Sequence, residues 1–186
     1  MPLFLKDRFH IVQSPSFRYR KKVAAFDYDH TLVKPKNGTF PKDVHDWMWL
    51  RPNVHSIVKQ CYAKGYCIVI FTNQTKKWKE TQIKNVLSTL DIPFRAYIGY
   101  DKTLKKPNTF MFDQFKKDSL DYGVSFYVGD ALGRDGDWSD SDKLFADAIG
   151  LQVLEPEEVF PFEKTERIVV EPHTSQELIL LMGYPG

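Results

Sequence analysis

The sequence predicts an α/β protein whose central, mainly parallel five-stranded sheet is flanked by helices. Short apolar segments typical of strands alternate along the chain with segments whose apolar residues recur at helical spacing. This alternation indicates βαβ units, in which parallel strands are joined by right-handed crossovers. The chain has 186 residues, which suffices for one domain and a fragment of a second, and its hydrophobic content of 42% allows a packed core.

The first twenty residues predict a small antiparallel extension of this sheet. Apolar side chains alternate loosely with polar ones from Phe4 to Tyr19, and Ser14-Pro15-Ser16 is a turn signal within the segment. We therefore expect one or two antiparallel strands here. The basic run at residues 18–22 is interpreted as a solvated strand edge in preference to a localisation signal or a phosphate contact.

Five short apolar runs, each bounded by polar or turn residues, are assigned to the central sheet. They are Val23–Phe26, Tyr66–Phe71, Phe94–Gly99, Ser125–Val128 and Leu151–Leu154. The segment 34–42 carries an Asn-Gly turn signal and is expected to form a loop or a short hairpin.

Four helices are predicted between these strands. Pro52 and Pro107 are expected to begin helices, and Gly65 to follow the end of the first one, since these residues favour such positions. The expected buried faces are Val54, Ile57, Val58, Cys61 and Tyr62; Ile83, Val86, Leu87 and Leu90; Phe110, Met111 and Phe115; and Leu144, Phe145, Ala148 and Ile149.

Two carboxylates, Asp27 and Asp29, directly follow the first strand. Side chains on a strand repeat every two residues, so both carboxylates are expected to leave its end on the same side. Adjacent carboxylates repel each other unless a cation or a shared proton relieves them. The pair therefore indicates a metal site, an acid/base pair or both. For this motif alone, a strand followed by an Asp-rich turn is the alternative.

Polar groups also follow the other strands. Thr72 and Asn73 come after the second strand, Lys106 lies just beyond the third, and Asp130 follows the fourth. In a parallel sheet these strand ends share one edge. A carboxylate there can attack phosphorus, a second can act as acid and base, and Mg²⁺ with a lysine can neutralise phosphate charge. The set indicates phosphoryl transfer.

In their order, these residues resemble the haloacid dehalogenase superfamily of phosphatases, which implies a Rossmann-like fold. From about residue 23 to about residue 160 the chain resembles, more specifically, the phosphatase domain of the polynucleotide kinase 3′-phosphatase family. The segments that carry this resemblance are Phe26–Leu32, Phe71–Gln74, Lys105–Pro107, Tyr127–Arg134, Asp137–Ser139, Asp142 with Phe145-Ala146, and Pro156–Phe160.

The resemblance implies catalytic or metal-binding roles for five of the matching residues. Asp27 would be the nucleophile and Asp29 the general acid and base, while Thr72 and Lys106 would hold the transferred phosphoryl oxygens. Mg²⁺ would be bound by Asp27, by the backbone carbonyl of Asp29 and by Asp130.

Further matching residues are expected to position the substrate or the surrounding loops. Asn73 and Arg134 would position substrate or a loop, and Asp137 and Asp142 would brace the loop after the fourth strand and the helix beyond it. The sequence departs from the family pattern at His30, where family members usually have glycine. We favour an ordinary exposed side chain there over an added phosphate contact.

Loop lysines at the same sheet edge favour a nucleic-acid partner. The net charge is only +2, so the chain as a whole has no strong positive field. Each lysine alone is more simply a solvated side chain, but their shared location favours polynucleotide binding, and an aromatic ring among them could stack on a base. The cluster comprises Lys76, Lys77, Lys79, Lys102 and Lys105, and Lys76, Lys77 and Trp78 are predicted to bind substrate.

The sequence further predicts an intracellular protein without a membrane span. It has no stretch of the ~20 apolar residues that a membrane helix needs and no signal-peptide pattern. Cys61 and Cys67 are interpreted as reduced core thiols. Nuclear and cytoplasmic locations are not distinguished by these features.

Two segments are expected along the chain: a phosphatase domain at 1–160, with catalytic motifs within 23–145, and a C-terminal segment at 161–186. Residues 177–186 resemble the strand and first glycines of a P-loop, although an ordinary strand and turn is the alternative. In the resembled family a kinase domain follows. The segment is thus interpreted as a linker and the first strand of a truncated kinase domain, with no kinase activity in this chain.

The activity implied by the resemblance is Mg²⁺-dependent removal of the 3′-phosphate from DNA ends during repair. The DNA ends would be single-stranded, nicked or gapped. The segments 33–66 and 99–125 have little room for a large cap module, and an open site favours a polymer. Two alternatives are a related phosphatase for a small molecule or phosphoprotein and a non-catalytic binding domain.

Overall fold

A six-stranded sheet forms the centre of the computed structural model, which describes residues 7–115 and 120–162. Its strands are β1 (Phe9–Gln13), β2 (Lys22–Phe26), β5 (Tyr66–Asn73), β6 (Phe94–Gly99), β7 (Phe126–Val128) and β8 (Gln152–Leu154), and a separate two-stranded sheet pairs β3 (Val33–Lys34) with β4 (Met48–Trp49). The strand order is β1-β6-β5-β2-β7-β8, and every neighbouring pair is parallel except β1 with β6. The predicted five parallel strands and the antiparallel N-terminal extension are confirmed.

Helices lie between the strands of this sheet. They are α1 (Val54–Ala63), α2 (Trp78–Ser88), α3 (Phe110–Asp113), α4 (Ser141–Ile149) and α5 (Pro156–Val159). Alternate residues of β2 face two hydrophobic clusters: Ala24 and Phe26 join one cluster, while Val23 and Ala25 join the other. The strand is buried on both faces, which explains why it appears in the sequence as a continuous apolar run.

Three of the predicted helices differ from the structure. The first begins at Val54, two residues after Pro52. The third begins at Phe110, three residues after Pro107, and spans a single turn. In α4 the predicted inward residues Leu144 and Ala148 are both exposed. The buried residues of α4 are Asp142, Phe145, Ala146 and Ile149. The predicted buried face of α4 was wrong because a carboxylate, rather than an aliphatic side chain, occupies the first buried position of the helix.

The segment between β2 and α1 contains the hairpin β3–β4 and, within the described residues, no cap module. Ser14 accepts a hydrogen bond from the N–H of Phe17 at 3.1 Å, so the turn expected after β1 is present. Cys67 is buried and Cys61 is half-buried. In the described part of the chain, the longest helix has 11 residues, and none combines the length and apolar character needed to cross a membrane. The predicted C-terminal segment at 161–186 lies outside the described residues, apart from residues 161 and 162.

Candidate active site

The central strands bring three predicted site residues to one edge of the sheet. β5, β2 and β7 are adjacent and parallel, and they are followed or ended by Asp27, Thr72 and Asp130. The N–H of Asp27 donates to the carbonyl of Val128 at 2.8 Å, so the chain just beyond β2 stays tied to β7. Catalytic groups of open α/β sheets typically lie at this edge.

Lys106 is the centre of a buried hydrogen-bonded network. Its ammonium donates to Oδ1 of Asp27 at 2.6 Å, to Oδ1 of Asp142 at 2.6 Å and to the hydroxyl of Tyr127 at 2.8 Å. The Tyr127 hydroxyl in turn donates to Oδ1 of Asp142 at 2.6 Å. Burial lowers the pKa of Lys106, but Asp142 and Asp27 outweigh that effect, so the pKa lies above its ordinary value and the side chain is an ammonium.

The backbone of Lys106 is positioned by Asn73. Oδ1 of Asn73 accepts from the N–H of Lys106 at 2.8 Å, and Nδ2 of Asn73 donates to its carbonyl at 3.0 Å. This reciprocal pair joins the end of β5 to the loop after β6. Asn73 was predicted to position either the substrate or a loop. These two hydrogen bonds fit the second role, because they orient the loop that carries Lys106.

Asp142 is a site residue whose full position the sequence analysis missed. It was expected to brace the loop after β7, and its Oδ2 does accept from the N–H of Ala131 at 3.1 Å. Its other oxygen, however, faces Lys106 and Tyr127, and its side chain is only 2% exposed. One signal in the sequence could have indicated this position. Asp142 is a carboxylate in the first turn of the helix that directly follows the loop beyond Asp130.

Asp29 has hydrogen-bond partners that differ from those of Asp27. The ammonium of Lys79 lies 2.5 Å from its Oδ1, and Nε2 of Gln74 donates to its Oδ2 at 2.7 Å. Gln74 also donates to the hydroxyl of buried Thr72 at 2.8 Å. Each carboxylate of the pair therefore has its own lysine, Lys106 for Asp27 and Lys79 for Asp29.

Three carboxylates could hold a metal ion. One oxygen from each of Asp27, Asp130 and Asp142 lies within 4.8 Å of the others. Burial raises the pKa of Asp27 well above its usual range, with Lys106 opposing and the other two carboxylates adding to the effect. Burial, and then Asp142, also raise the pKa of Asp130, although Oδ1 of Asp130 accepts from Thr31 at 3.1 Å. A divalent cation would relieve this repulsion, and Mg²⁺ prefers such oxygen ligands.

A pocket of about 350 Å³ opens beside Asp29. Of the predicted substrate-binding residues, half-buried Asn73, exposed Lys76 and half-buried Trp78 line it. The full lining is Asp29, His30, Phe40, Pro41, Asn73, Gln74, Thr75, Lys76, Trp78 and Lys79. Its aromatic and basic side chains lie next to the proposed acid and base.

Other predicted substrate residues are engaged elsewhere. Lys77 donates to the carbonyl of Asp7 and lies 4.0 Å from the ring centroid of Tyr100, so it faces the N-terminal segment. Arg134 donates to Asp137 at 3.0 Å and to Glu155 at 2.7 Å. These contacts brace the loop after β7, and Asp137 accepts from the backbone of that loop as expected.

Two of the lysines in the predicted surface cluster are less accessible than expected. Lys79 belongs to α2 and is buried, and Lys105 is half-buried, while Lys102 is exposed. The basic cluster at this edge is thus smaller than the sequence suggested.

Comparisons with known proteins match most of this chain to one family. The family model described as polynucleotide kinase 3 phosphatase matches residues 22–160. A bifunctional polynucleotide phosphatase/kinase of Schizosaccharomyces pombe is 36% identical over 215 residues, which cover 98% of this chain and 53% of that protein. A polynucleotide 3′-phosphatase of Arabidopsis thaliana is 31% identical over 168 residues, which cover 75% of this chain and 24% of that protein. This chain therefore spans about half of the first relative and a quarter of the second.

Solved structures share the fold. A haloacid dehalogenase-like phosphatase from Mesorhizobium loti superposes with a TM-score of 0.59 at 20% identity, covering 77% of each chain. The heptose bisphosphate phosphatase of B. bronchiseptica, crystallised with magnesium and phosphate, gives a TM-score of 0.51 at 17% identity and covers 72% of this chain and 92% of its own. Because the matching family model spans most of the sequence, this chain belongs to the polynucleotide kinase 3 phosphatase family.

Proposed function

We propose that this phosphatase removes the 3′-phosphate from DNA ends through an aspartyl-phosphate on Asp27. The observation that carries the proposal is the buried contact of 2.6 Å between Lys106 and Asp27, beside the carboxylates of Asp130 and Asp142. A carboxylate in contact with a buried ammonium, at the edge of a parallel sheet, is suited to attack a phosphate ester.

The reaction would proceed in two displacements. In the first, a carboxylate oxygen of Asp27 attacks phosphorus, the bond from phosphorus to the 3′ oxygen breaks, and protonated Asp29 gives its proton to that oxygen. In the second, Asp29 takes a proton from water, the water oxygen attacks phosphorus, and the bond to Asp27 breaks. The products are a 3′-hydroxyl end and inorganic phosphate.

Thr72 and Lys106 would hold the phosphoryl oxygens. The hydroxyl oxygen of Thr72 accepts from Gln74, so its own proton can be directed at a phosphoryl oxygen. Lys106 directs its three donors at Asp27, Asp142 and Tyr127, and a bound phosphoryl group would take over one of these bonds.

Mg²⁺ fits the carboxylate cluster. Asp27 and Asp130 would hold it together with the backbone carbonyl of Asp29, and the structure adds Asp142 as a further candidate ligand. When bound, the ion would neutralise charge on the phosphate.

The names of the relatives and the openness of the site support a polynucleotide substrate. The S. pombe and Arabidopsis proteins are named for polynucleotide chemistry. In the described chain only a small hairpin separates β2 from α1, so a polymer end can approach. We propose that the substrates are single-stranded, nicked or gapped DNA ends and that the protein processes these ends inside the cell. We further propose a kinase domain as the partner of this domain, as in the longer bifunctional relative.

The test is phosphate release from a 3′-phosphorylated oligonucleotide, with Mg²⁺ and with EDTA. A 5′-phosphorylated oligonucleotide and an aryl phosphate serve as comparison substrates. Asp27→Asn should abolish turnover, while Asp147→Asn, at an exposed position of α4, controls for loss of a surface charge. Release from the aryl phosphate but from neither oligonucleotide would favour a small-molecule or phosphoprotein substrate, and full activity of folded Asp27→Asn would exclude the mechanism.

A further inference from the structure

Lys79 is a buried cation whose contacts lie inside the proposed site. Its side chain is 5% exposed, and its ammonium lies 2.5 Å from Oδ1 of Asp29 and 3.0 Å from Oε1 of Gln82. The ammonium also lies 5.2 Å from the ring centroid of Tyr28. A lysine with these contacts differs in kind from the solvated surface lysines around it.

The location of Lys79 is unfavourable for its own helix. It is the second residue of α2, and a positive charge in the first turn opposes the helix dipole. Burying an ammonium also costs free energy unless the charge is paired. Asp29 supplies that pairing, so the position is best explained by what Lys79 does to Asp29.

We propose that Lys79 is a positioning residue that holds Asp29 in the orientation needed for proton transfer. The proposal rests on the proposed function, in which Asp29 is the acid and base. Each of the two neighbouring carboxylates has its own lysine: Lys106 binds Asp27, and Lys79 binds Asp29. Without Lys79, the carboxylate of Asp29 would keep the hydrogen bond from Gln74 but lose its charged partner, and it could turn toward another cation.

Gln82 extends this arrangement to the loop between β3 and β4. Its Oε1 accepts from Lys79, and its Nε2 donates to the carbonyl of Asp43 at 3.0 Å. Phe40 and Pro41 of the same loop line the pocket beside Asp29. Lys79 and Gln82 therefore connect the orientation of Asp29 to the loop that forms one wall of the pocket.

If Lys79 positions Asp29, the rate lost on removing Lys79 should depend on the leaving group of the substrate. A 3′ oxygen of deoxyribose is a poor leaving group and needs a proton, whereas p-nitrophenolate leaves without one. Misplaced Asp29 should slow formation of the aspartyl-phosphate from an oligonucleotide far more than from p-nitrophenyl phosphate. Breakdown of the aspartyl-phosphate also needs Asp29 as a base, so it should be slow for both substrates.

The experiment compares first-turnover and steady-state rates of Lys79→Met, which keeps the side-chain length and removes the charge. With the oligonucleotide, we expect the first-turnover rate to fall by about tenfold to a hundredfold, because misplacing a catalytic group costs rates of this order. With p-nitrophenyl phosphate, a burst of p-nitrophenolate should remain and be followed by slow turnover. Lys84→Met, at an exposed position of the same helix, should behave like the parent.

The outcomes separate the two proposals. If the parent hydrolyses only the aryl phosphate, the proposed DNA substrate is wrong. The burst of p-nitrophenolate from Lys79→Met then still tests the role of Lys79. Equal losses in every rate of Lys79→Met, or no loss, would overturn the positioning role. If Lys79→Met does not fold, Gln82→Met, which leaves the lysine in place with one partner fewer, should show the same pattern at about threefold to tenfold. A Gln82→Met protein with the same rates as the parent would refute the proposal.

Discussion

Gly129 and Asp142 are in such close contact that a Cβ atom on residue 129 would lie 2.5 Å from Cγ of Asp142 and 2.6 Å from its Oδ2. The carboxylate of Asp142 occupies this space in order to reach Lys106 and Tyr127 at the edge of the sheet. The absence of a side chain after β7 is therefore part of how the buried network is assembled.

Gly129→Ala should displace Asp142 and impair the site. We expect a loss of kcat of at least about tenfold and a destabilisation of about 1–3 kcal/mol, as for other insertions into packed interiors. Phosphate release and urea unfolding measure the two effects. Gly123→Ala is the control, since its nearest neighbour would be Oδ1 of Asp121 at 3.6 Å. A fully active Gly129→Ala protein would contradict the inferred role of the contact.

Two neighbouring residues of α4 test its orientation. Phe145 is buried, with its ring 5.4 Å from that of Phe71 and 5.5 Å from that of Tyr127, whereas Leu144 is 45% exposed. Phe145→Ala should lower the free energy of unfolding by about 3–5 kcal/mol. Leu144→Ala should change it by less than about 0.5 kcal/mol, as is usual at surface positions. Similar losses in both variants, measured by urea unfolding, would indicate a different orientation.

The strands could be predicted from the sequence because the central ones are buried on both faces. Such strands appear as short continuous apolar runs, and their polar successors Asp27, Thr72 and Asp130 then fall on one edge of the sheet. The order of these residues along the chain was enough to indicate phosphoryl transfer.

Asp142 and Lys79 could not be placed in the same way. Charged residues are normally exposed, so a pattern of apolar residues assigns them to the surface by default. Both are buried here because each has an opposite charge from a distant part of the chain: Lys106 for Asp142, and Asp29 for Lys79. Pairing between residues 36 and 50 positions apart follows from the fold, and the periodicity of apolar residues does not reveal it.

Cys67 should make the stability of the protein depend on alkaline pH. Burial raises the pKa of its thiol from about 9 to about 11, so the folded state favours the neutral form. The contribution is therefore fully present below about pH 9 and is lost as the pH rises from about 9 to about 11. It is on the order of 3 kcal/mol, since each pKa unit corresponds to about 1.4 kcal/mol.

Urea unfolding at about pH 8 and about pH 10.5 checks this dependence. Other buried groups also titrate in the alkaline range, so the informative quantity is the difference between the parent and Cys67→Ala. The variant should lose less free energy of unfolding between the two pH values than the parent does. Equal losses would show that the thiol does not ionise on unfolding in this range.

His30 has a left-handed backbone conformation, with φ of +59°. The surrounding turn fixes this geometry, since the N–H of His30 donates to the carbonyl of Val33 at 2.7 Å and the N–H of Leu32 donates to the carbonyl of Tyr28 at 3.0 Å. Such a conformation favours glycine, which is the residue that the family resemblance led us to expect at this position. Histidine is one of the few other residues that adopt it at moderate cost.

Two substitutions at residue 30 should therefore have different effects. His30→Val should lower the free energy of unfolding by about 1–2 kcal/mol, because a branched side chain fits this conformation poorly. His30→Gly should stay within about 1 kcal/mol of the parent, since relief of strain is offset by the greater freedom of the unfolded chain. Urea unfolding of the three proteins measures both effects, and a His30→Val protein as stable as the parent would refute the argument. His30 is half-buried and lines the pocket beside Asp29, so the exposed side chain favoured from the sequence was wrong. A fall in kcat/KM of His30→Gly at unchanged stability would favour a contact between the imidazole and the substrate.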